Sequence, residues 1–289
     1  MKGSKDESVF SPGPLWTRAK RARELWAESS TPGVRPMLER KNEYEKMARV
    51  EQEHWWYRAL HHLVLNSIRT NTVGNDISII DAGCGTGGLM LFLLEQGYTR
   101  VKGFDLSPHA VEICRGRGLD VEQCDLRNMA ARYPRASADV IISNDTLCSL
   151  NGEERSILMR QFFEVLRPGS ILILNVPALD AFRGIHDLSV GIQHRFSRSD
   201  LPSLIDPNMF HMIRVLYWPF LLSPVVYCVR LRQRMKMRLT KNYEICSDID
   251  LPHPWVNRVL EGLTRFENRR LPSKPFGSSL FLVLKKRMG

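Results

Sequence analysis

The sequence has no Cys-x-x-Cys pair and no metal-ligand spacing: its six cysteines, Cys84, Cys114, Cys124, Cys148, Cys228 and Cys246, are scattered along the chain. Neither a disulfide framework nor a structural zinc is expected, and reduced thiols point to the cytoplasm. An apolar leader is also missing, because the first twenty residues are polar, so no signal peptide is expected. The longest uncharged apolar stretch, 215–229, falls short of the roughly 20 residues of a spanning helix and is broken by Pro219 and Pro224. No internal repeat is visible. Acids are scarce relative to bases: 31 Asp and Glu against 41 Lys and Arg give a formal net charge of +10. That excess suits an anionic partner such as nucleic acid, lipid headgroups or an acidic substrate, or a basic but well solvated surface.

What the chain does have is enough apolar residue to fold. At 289 residues and 43% hydrophobic it can bury one elaborated α/β domain, or one domain with a cap. Residues 1–38 mix Ser, Pro, Gly and both charge signs without period beyond a short helical stretch at 15–27, and are expected to be a loosely ordered tail. Asp6, Glu7, Glu24 and Glu28 argue against a transit peptide. Residues 39–75 turn helical and carry Glu51-Gln52-Glu53-His54-Trp55-Trp56-Tyr57-Arg58. On a helix Trp55, Trp56 and Tyr57 cannot all face one core. They either staple this segment to the body or form a flap over a ligand, where they would touch substrate.

Short apolar runs ending in a polar residue follow at 77–81, 101–105, 121–125, 140–144 and 171–176, with helical stretches between them at 89–96, 108–115 and 153–166. This alternation predicts an α/β fold with a doubly wound, seven-stranded, mostly parallel sheet, the last two strands being 213–218 and 279–285. The core is expected to span 76–218 and to be completed by 278–289. The roughly 60 residues at 219–277 are too many for a plain connection and are expected to form a helical cap, with a helix at 255–268. Ligands of such sheets sit at the carboxyl ends of the strands, where the order reverses.

The first strand runs into Asp81-Ala82-Gly83-Cys84-Gly85-Thr86-Gly87-Gly88. Gly83, Gly85 and Gly88 satisfy G-x-G-x-x-G, so a nicotinamide dinucleotide site has to be weighed. Asp81 before the glycines would repel a pyrophosphate but suits a ligand with an ammonium and a sulfonium. Asp105 ends the next strand, where its oxygens can accept both hydroxyls of a ribose, with Leu106 beside it. Asp125 after the third strand can accept from an adenine amino group while Leu126 covers the ring. Both acids could instead cap the helices that follow.

With Asp-Ala-Gly-Cys-Gly-Thr-Gly at 81–87 and Leu-Arg-Pro-Gly at 166–169, the sequence resembles the class I S-adenosylmethionine (SAM)-dependent methyltransferases, in particular the group that includes the ubiquinone-biosynthesis methyltransferases. The resemblance covers 77–176 and implies a Rossmann-like fold with SAM as cofactor. It implies that Asp81, Gly83, Cys84, Gly85 and Gly87 hold the amino-acid part, Asp105 and Leu106 the ribose, and Asp125 and Leu126 the adenine, with Asn144 at the end of the fourth strand. Two departures stand out: Ser170 replaces a second glycine, and Asn144-Asp145-Thr146-Leu147-Cys148-Ser149 lacks the histidine often found after the fourth strand. The Asn/Asp-Pro-Pro-aromatic tetrapeptide that marks base amino-group methylation in related folds is absent, which argues against a nucleic-acid substrate.

The methyl acceptor should lie over the fourth and fifth strands. There, His186 is the first candidate for a base, with Asp187 or His194 orienting it or touching substrate, since histidine takes a proton near neutral pH. These three could also simply cap helices or bond within a loop. The run 215–229 is followed by Arg230, Arg232, Arg234, Lys236, Arg238 and Lys241, so 215–241 reads either as a cap over the pocket or as a segment lying on an anionic membrane surface. Both readings suit an apolar small-molecule acceptor, with O-methylation favoured over N-methylation. The competing functions are an NAD-dependent oxidoreductase and a non-catalytic adaptor built on the SAM fold.

Overall fold

The computed structural model describes residues 41–239 and 249–288. The tail at 1–38 with its helical stretch, and Lys241 and Cys246, lie outside the described residues. Two helices come first, α1 (Lys41–Val50) and α2 (Trp55–Asn71). They are followed by β1 (Ile79–Ala82), α3 (Gly88–Glu95), β2 (Val101–Asp105), α4 (Pro108–Gly116), β3 (Val121–Gln123), α5 (Met129–Arg132), β4 (Ala138–Asn144), α6 (Gly152–Val165) and β5 (Leu166–Pro177). Beyond β5 lie the short helices α7 (Ile185–Val190) and α8 (Leu201–Leu204), then β6 (Phe210–Trp218), α9 (Ser223–Leu239), α10 (Pro254–Arg270) and β7 (Ser279–Lys286).

Helix starts follow local chemistry. Ser107 caps α4 just ahead of Pro108. At α6 the cap is reciprocal: the Glu154 N–H donates to Asn151 Oδ1 at 3.0 Å and the Asn151 N–H to Glu154 Oε2 at 2.9 Å. Helix α3 begins on glycine and has no capping side chain of its own. Its cap comes from elsewhere in the chain, which matters for the site below.

The seven strands form one sheet in the order β3-β2-β1-β4-β5-β7-β6, parallel except for β7, which runs against both its neighbours. Both faces are covered. Along β5, Leu172, Leu174 and Val176 join a cluster with Leu158 and Phe162 of α6, while Ile171 and Ile173 join a cluster with Leu60 and Val64 of α2 and Leu93 of α3. Two-sided burial is why such strands read as continuous apolar runs rather than alternating ones. The order reverses between β1 and β4, opening a crevice at their carboxyl ends.

The expected seven-stranded, mostly parallel sheet is present, with boundaries that differ in three useful places. The first strand runs over 79–82 and ends one residue later than expected, so Asp81 lies inside β1, opposite Gly103 of β2, rather than at its end. The apolar run 215–229 is not one segment: it closes β6 at Trp218 and reopens as α9 at Ser223. The leading helical segment is also split, at residues 51–54, where His54 accepts the Trp56 N–H at 3.3 Å and restarts the chain as α2.

Candidate active site

The loop from β1 to α3 is pinned by its backbone, the N–H groups of Gly83 and Cys84 both donating to the Phe104 carbonyl at 2.9 and 3.0 Å. Gly83 sits at φ 78, in the left-handed region, and a Cβ there would strike the Thr146 methyl. Gly85 and Gly87 share that backbone region. Behind the loop, Asp105 accepts the Gly85 N–H through Oδ2 and the Ser107 N–H through Oδ1, each at 2.9 Å. These bonds fix the acid to the loop it faces.

The missing cap of α3 is Glu51, from the turn after α1. Its carboxylate accepts from Thr86 Oγ1 at 2.7 Å and from the Gly88 N–H at 3.2 Å, and it pairs with the Arg117 guanidinium. Gly88 is needed for this approach, because a Cβ would collide with the Glu51 carboxylate. Arg117 also donates to the carbonyls of Thr86 and Ala48, each at 2.6 Å, tying α1 to the loop. Above the loop, Tyr44 of α1 is buried beside Asp105 and bonded to Ser107, and the methyl of Met47 lies over Gly85. None of Glu51, Tyr44, Met47 or Arg117 carries a motif, so sequence reasoning missed them.

Acids dominate the electrostatics of this cluster, Arg117 being engaged by Glu51. Burial first, and then the charges of Asp105 and Glu51, push the Asp81 carboxyl up to about 7. Burial also raises Asp105 and Glu51. Asp81 has no ion pair among the described residues, and on the adjacent strand the buried Oδ1 of Asn144 has no hydrogen-bond partner among them. An orphaned acceptor beside a crowded set of carboxyl groups fits a cationic ligand, as the ammonium and sulfonium of SAM are. It does not fit a pyrophosphate: the α3 N-terminus, where a phosphate would bind, is already held by Glu51.

Further along the crevice, Leu106 is 41% exposed next to Asp105, and Leu126 is half-buried. Asp125 caps the turn that follows it, accepting the Arg127 N–H at 2.9 Å, and the Arg127 guanidinium beside it holds its carboxyl below the usual range. The capping role and a ligand role are therefore compatible only through lone pairs that Arg127 leaves open.

Past β4 the chain turns through Asp145, held at φ 55, a conformation costly for a residue with a side chain. Its backbone N–H donates to the Asn175 carbonyl at 2.7 Å, and Asn175 Nδ2 donates to both carboxylate oxygens at 3.1 Å. The Trp218 indole N–H donates to Asn175 Oδ1 at 2.8 Å, and Trp56 stacks on Trp218 with ring centroids 5.3 Å apart. Tyr57 feels the charges of both Glu51 and Asp145, and burial and those charges raise its phenol. Burial pushes Asp145 up to about 7. Trp56 and Tyr57 thus reach the crevice, whereas Trp55 is held at α10, its N–H donating to Asn257 Oδ1 at 2.9 Å.

In the histidine segment the acid has a structural role. Asp187 is buried, with Oδ1 taking Arg195 Nε at 2.7 Å and Oδ2 the Gly184 N–H at 2.7 Å, so its carboxylate is committed to holding α7. His186 precedes it on the helix, and neighbouring positions on a helix do not face one another. His194 packs edge-on against Phe196 at 4.6 Å; burial lowers its pKa, with Arg155 adding to the effect, and its Nε2 has no partner among the described residues. Among the described residues no group of three or more His, Cys, Asp or Glu could hold a metal ion.

Residues 79–169 match the family model described as a methyltransferase domain. The chain is 30% identical over 133 residues to the carboxy-S-adenosyl-L-methionine synthase of Photobacterium profundum, covering 42% of this chain and 53% of that protein. It is 30% identical over 105 residues to phosphoethanolamine N-methyltransferase 1 of Arabidopsis thaliana, covering 34% of this chain and 20% of that one. The chain thus spans about half the length of the first of these relatives and less of the second. The fold is shared with the geranyl diphosphate C-methyltransferase of Streptomyces coelicolor A3(2), solved with Mg2+, geranyl diphosphate and S-adenosyl-L-homocysteine, at TM-score 0.50 and 15% identity over 96% of this chain and 99% of that one. It is also shared with the [4+2]-cyclase SpnF, at TM-score 0.51 and 18% identity over 81% and 83%.

Proposed function

Because this chain carries a class I SAM-dependent methyltransferase domain, with SAM as its cofactor, we propose that the protein moves a methyl group to a hydroxyl oxygen of a small apolar acceptor. When bound, SAM supplies an electrophilic methyl on a sulfonium. The glycine loop with Asp81 and Asn144 holds its amino-acid end, Asp105 its ribose, and Asp125 with Leu106 and Leu126 its adenine. The observation that carries this reading is the crowded acid cluster at the loop, where Asp81 has no ion pair among the described residues, which a cation satisfies and a pyrophosphate does not.

Asp145 is the residue proposed to take the acceptor's proton. A carboxyl near 7 is poised to do so at neutral pH. Asn175 and Trp218 keep it oriented, while Trp56 and Tyr57 close the acceptor side and keep water out. His186 and His194 line the next segment and are proposed to contact the acceptor rather than to share a proton with Asp187.

Calorimetry with SAM, followed by a mass-spectrometric search for a metabolite that gains one CH2 only when protein and SAM are both present, tests the function. Absence of SAM binding, or binding indifferent to Asp105→Ala, sinks the proposal. Binding without any methylated product would favour a non-catalytic adaptor.

A further inference from the structure

Helix α10 is amphipathic the wrong way round for a helix that merely packs on its own protein. Trp255, Val259, Leu263 and Phe266 fall on one face at helical spacing and are 63%, 50%, 40% and 55% exposed. On the opposite face the fully buried residues are polar, Glu261, Thr264 and Glu267, with Val256 and Leu260 half-buried beside them. That inner face is satisfied. Glu267 accepts the N–H groups of Phe220 and Leu221 at 2.7 to 2.9 Å and pairs with Lys274 at 3.3 Å, and Glu261 holds Arg58 at 2.9 Å and Arg265 at 3.2 Å. The protein therefore buries polar groups of α10 and leaves a larger apolar stripe outward.

Beside that apolar stripe runs an open groove of about 520 Å³ between α10 and α2, lined by Arg58, Arg258, Arg265, Arg269 and Arg270 together with Phe266. Its single acid, Glu261, is already engaged by Arg58 and Arg265. Arg258 and Arg270 have no hydrogen bond or ion pair among the described residues. The groove is thus a strip of uncompensated guanidinium charge alongside exposed Trp and Phe. Helix α9 also exposes apolar side chains on its own part of the surface, Val225, Val229 and Met235 being 62%, 47% and 49% exposed.

We propose that α10 is a docking helix for an anionic lipid bilayer, lying in the surface plane with Trp255, Val259, Leu263 and Phe266 in the boundary between headgroups and acyl chains and the arginine groove over lipid phosphates. Charge complementarity selects this occupant. Guanidinium groups grip phosphate oxygens bidentately, and an aromatic and aliphatic stripe flanked by cations suits the headgroup boundary rather than a polar partner. No helix among the described residues is long and apolar enough to cross a membrane, so the contact is peripheral. It lies in the insertion expected from the sequence, but is carried by 254–270 more than by 215–241.

The test is sedimentation of the full chain with phosphatidylcholine vesicles, with and without phosphatidylserine, in the absence of SAM. Wild type is expected to partition onto the phosphatidylserine vesicles and to be released by salt. Each cation near such a surface is worth about 1 kcal/mol, about fivefold in partitioning, so Arg258→Glu with Arg270→Glu should lower it by at least about 25-fold. Trp255→Ala with Phe266→Ala should lower it without changing its salt dependence. All four positions line an exposed face, and unchanged circular dichroism would show that the variants fold. Equal partitioning with and without phosphatidylserine, or retention by the arginine variant, overturns the proposal. Stabilisation against heat by inorganic phosphate without vesicle binding would assign the groove to a soluble phosphate compound and likewise overturn it. Methyl transfer is not read in this assay, so its failure leaves the function proposed above untouched.

Discussion

Glu51 caps a helix to which it does not belong: its Oε2 accepts the N–H of Gly88, the first residue of α3, at 3.2 Å, while Oε1 takes the Thr86 hydroxyl at 2.7 Å. The segment 41–58 is thereby fastened to the glycine loop through a buried carboxylate. Glu51→Ala would strip α3 of its cap and leave the Arg117 guanidinium, already turned from solvent, without its partner. A loss of about 2 kcal/mol is expected, from a missing cap and an unpaired charged donor. For a domain of this size that is a fall in melting temperature of roughly 4–8 °C. Glu51→Gln keeps an acceptor for one of the two donors, Thr86 or Gly88, and should lose less. Equal melting of wild type and the alanine variant would show that the contact does not hold α1 down.

If Asp81 faces the cation of SAM as proposed, SAM binding depends on pH. In the empty protein its carboxyl stands near 7, so below that pH it is protonated, while a cation bound beside it favours the carboxylate. SAM should therefore bind more tightly as pH rises toward 7, by up to tenfold per unit, then level off. Below pH 7, binding should release a proton, visible by calorimetry in buffers of different ionisation enthalpy and absent in Asp81→Asn. Stability runs the other way. The folded value lies above the unfolded one, so the contribution of Asp81 is fully present below about 4 and is lost as pH climbs through about 7. The empty protein should melt lower at pH 8 than at pH 5, and SAM should narrow that difference.

The sheet and the glycine loop of the candidate cofactor site were legible because their signals are periodic or local. Five apolar runs ending in turn chemistry define a parallel sheet, and Asp81, Asp105 and Asp125 fall at or beside the loops that follow three of them. The acceptor side was not, since its geometry is made by tertiary contact. Nothing in Glu51-Gln52-Glu53 says which acid turns inward, and Asp187 became a structural anchor only because Arg195, eight positions on, meets it at 2.7 Å. Asp145 was visible only as an acid after the fourth strand. Its backbone conformation and its grip by Asn175 depend on β5 and β6 lying where they do. The outward apolar face of α10 was hidden for the same reason: Trp255, Val259 and Phe266 form an amphipathic pattern that predicts burial, until Glu267 is seen to spend the other face on the backbone of Phe220 and Leu221.

Replacing Asp145 by Asn preserves its size and most of its bonding but removes its basicity. If the carboxylate takes the acceptor's proton, kcat should drop by about 10²- to 10⁴-fold with little change in the affinity for SAM. In wild type, kcat/KM should rise with pH up to about 7 and then flatten, because the carboxylate form is the active one. His186→Ala should leave that profile in place and alter KM alone. The opposite pattern, a tolerant Asp145→Asn and a profile abolished by His186→Ala, would return the proton to the histidine.

On the proposed role of Asp145, Trp218 would act on this chemistry at one remove. Its indole N–H bonds Asn175 Oδ1 at 2.8 Å, which turns the Asn175 amide so that Nδ2 faces both oxygens of Asp145. Trp218→Phe keeps an aromatic ring for Trp56 to stack on but removes the donor, leaving a buried carbonyl oxygen unsatisfied at a cost of about 1–3 kcal/mol. Freed to rotate, Asn175 would offer its oxygen to Asp145 in some fraction of molecules and raise the carboxyl further. The rise of kcat/KM with pH should then shift upward from 7, with KM for the acceptor changed less than kcat. A purely structural role for Trp218 predicts lower melting with an unmoved pH profile, so the profile decides between them.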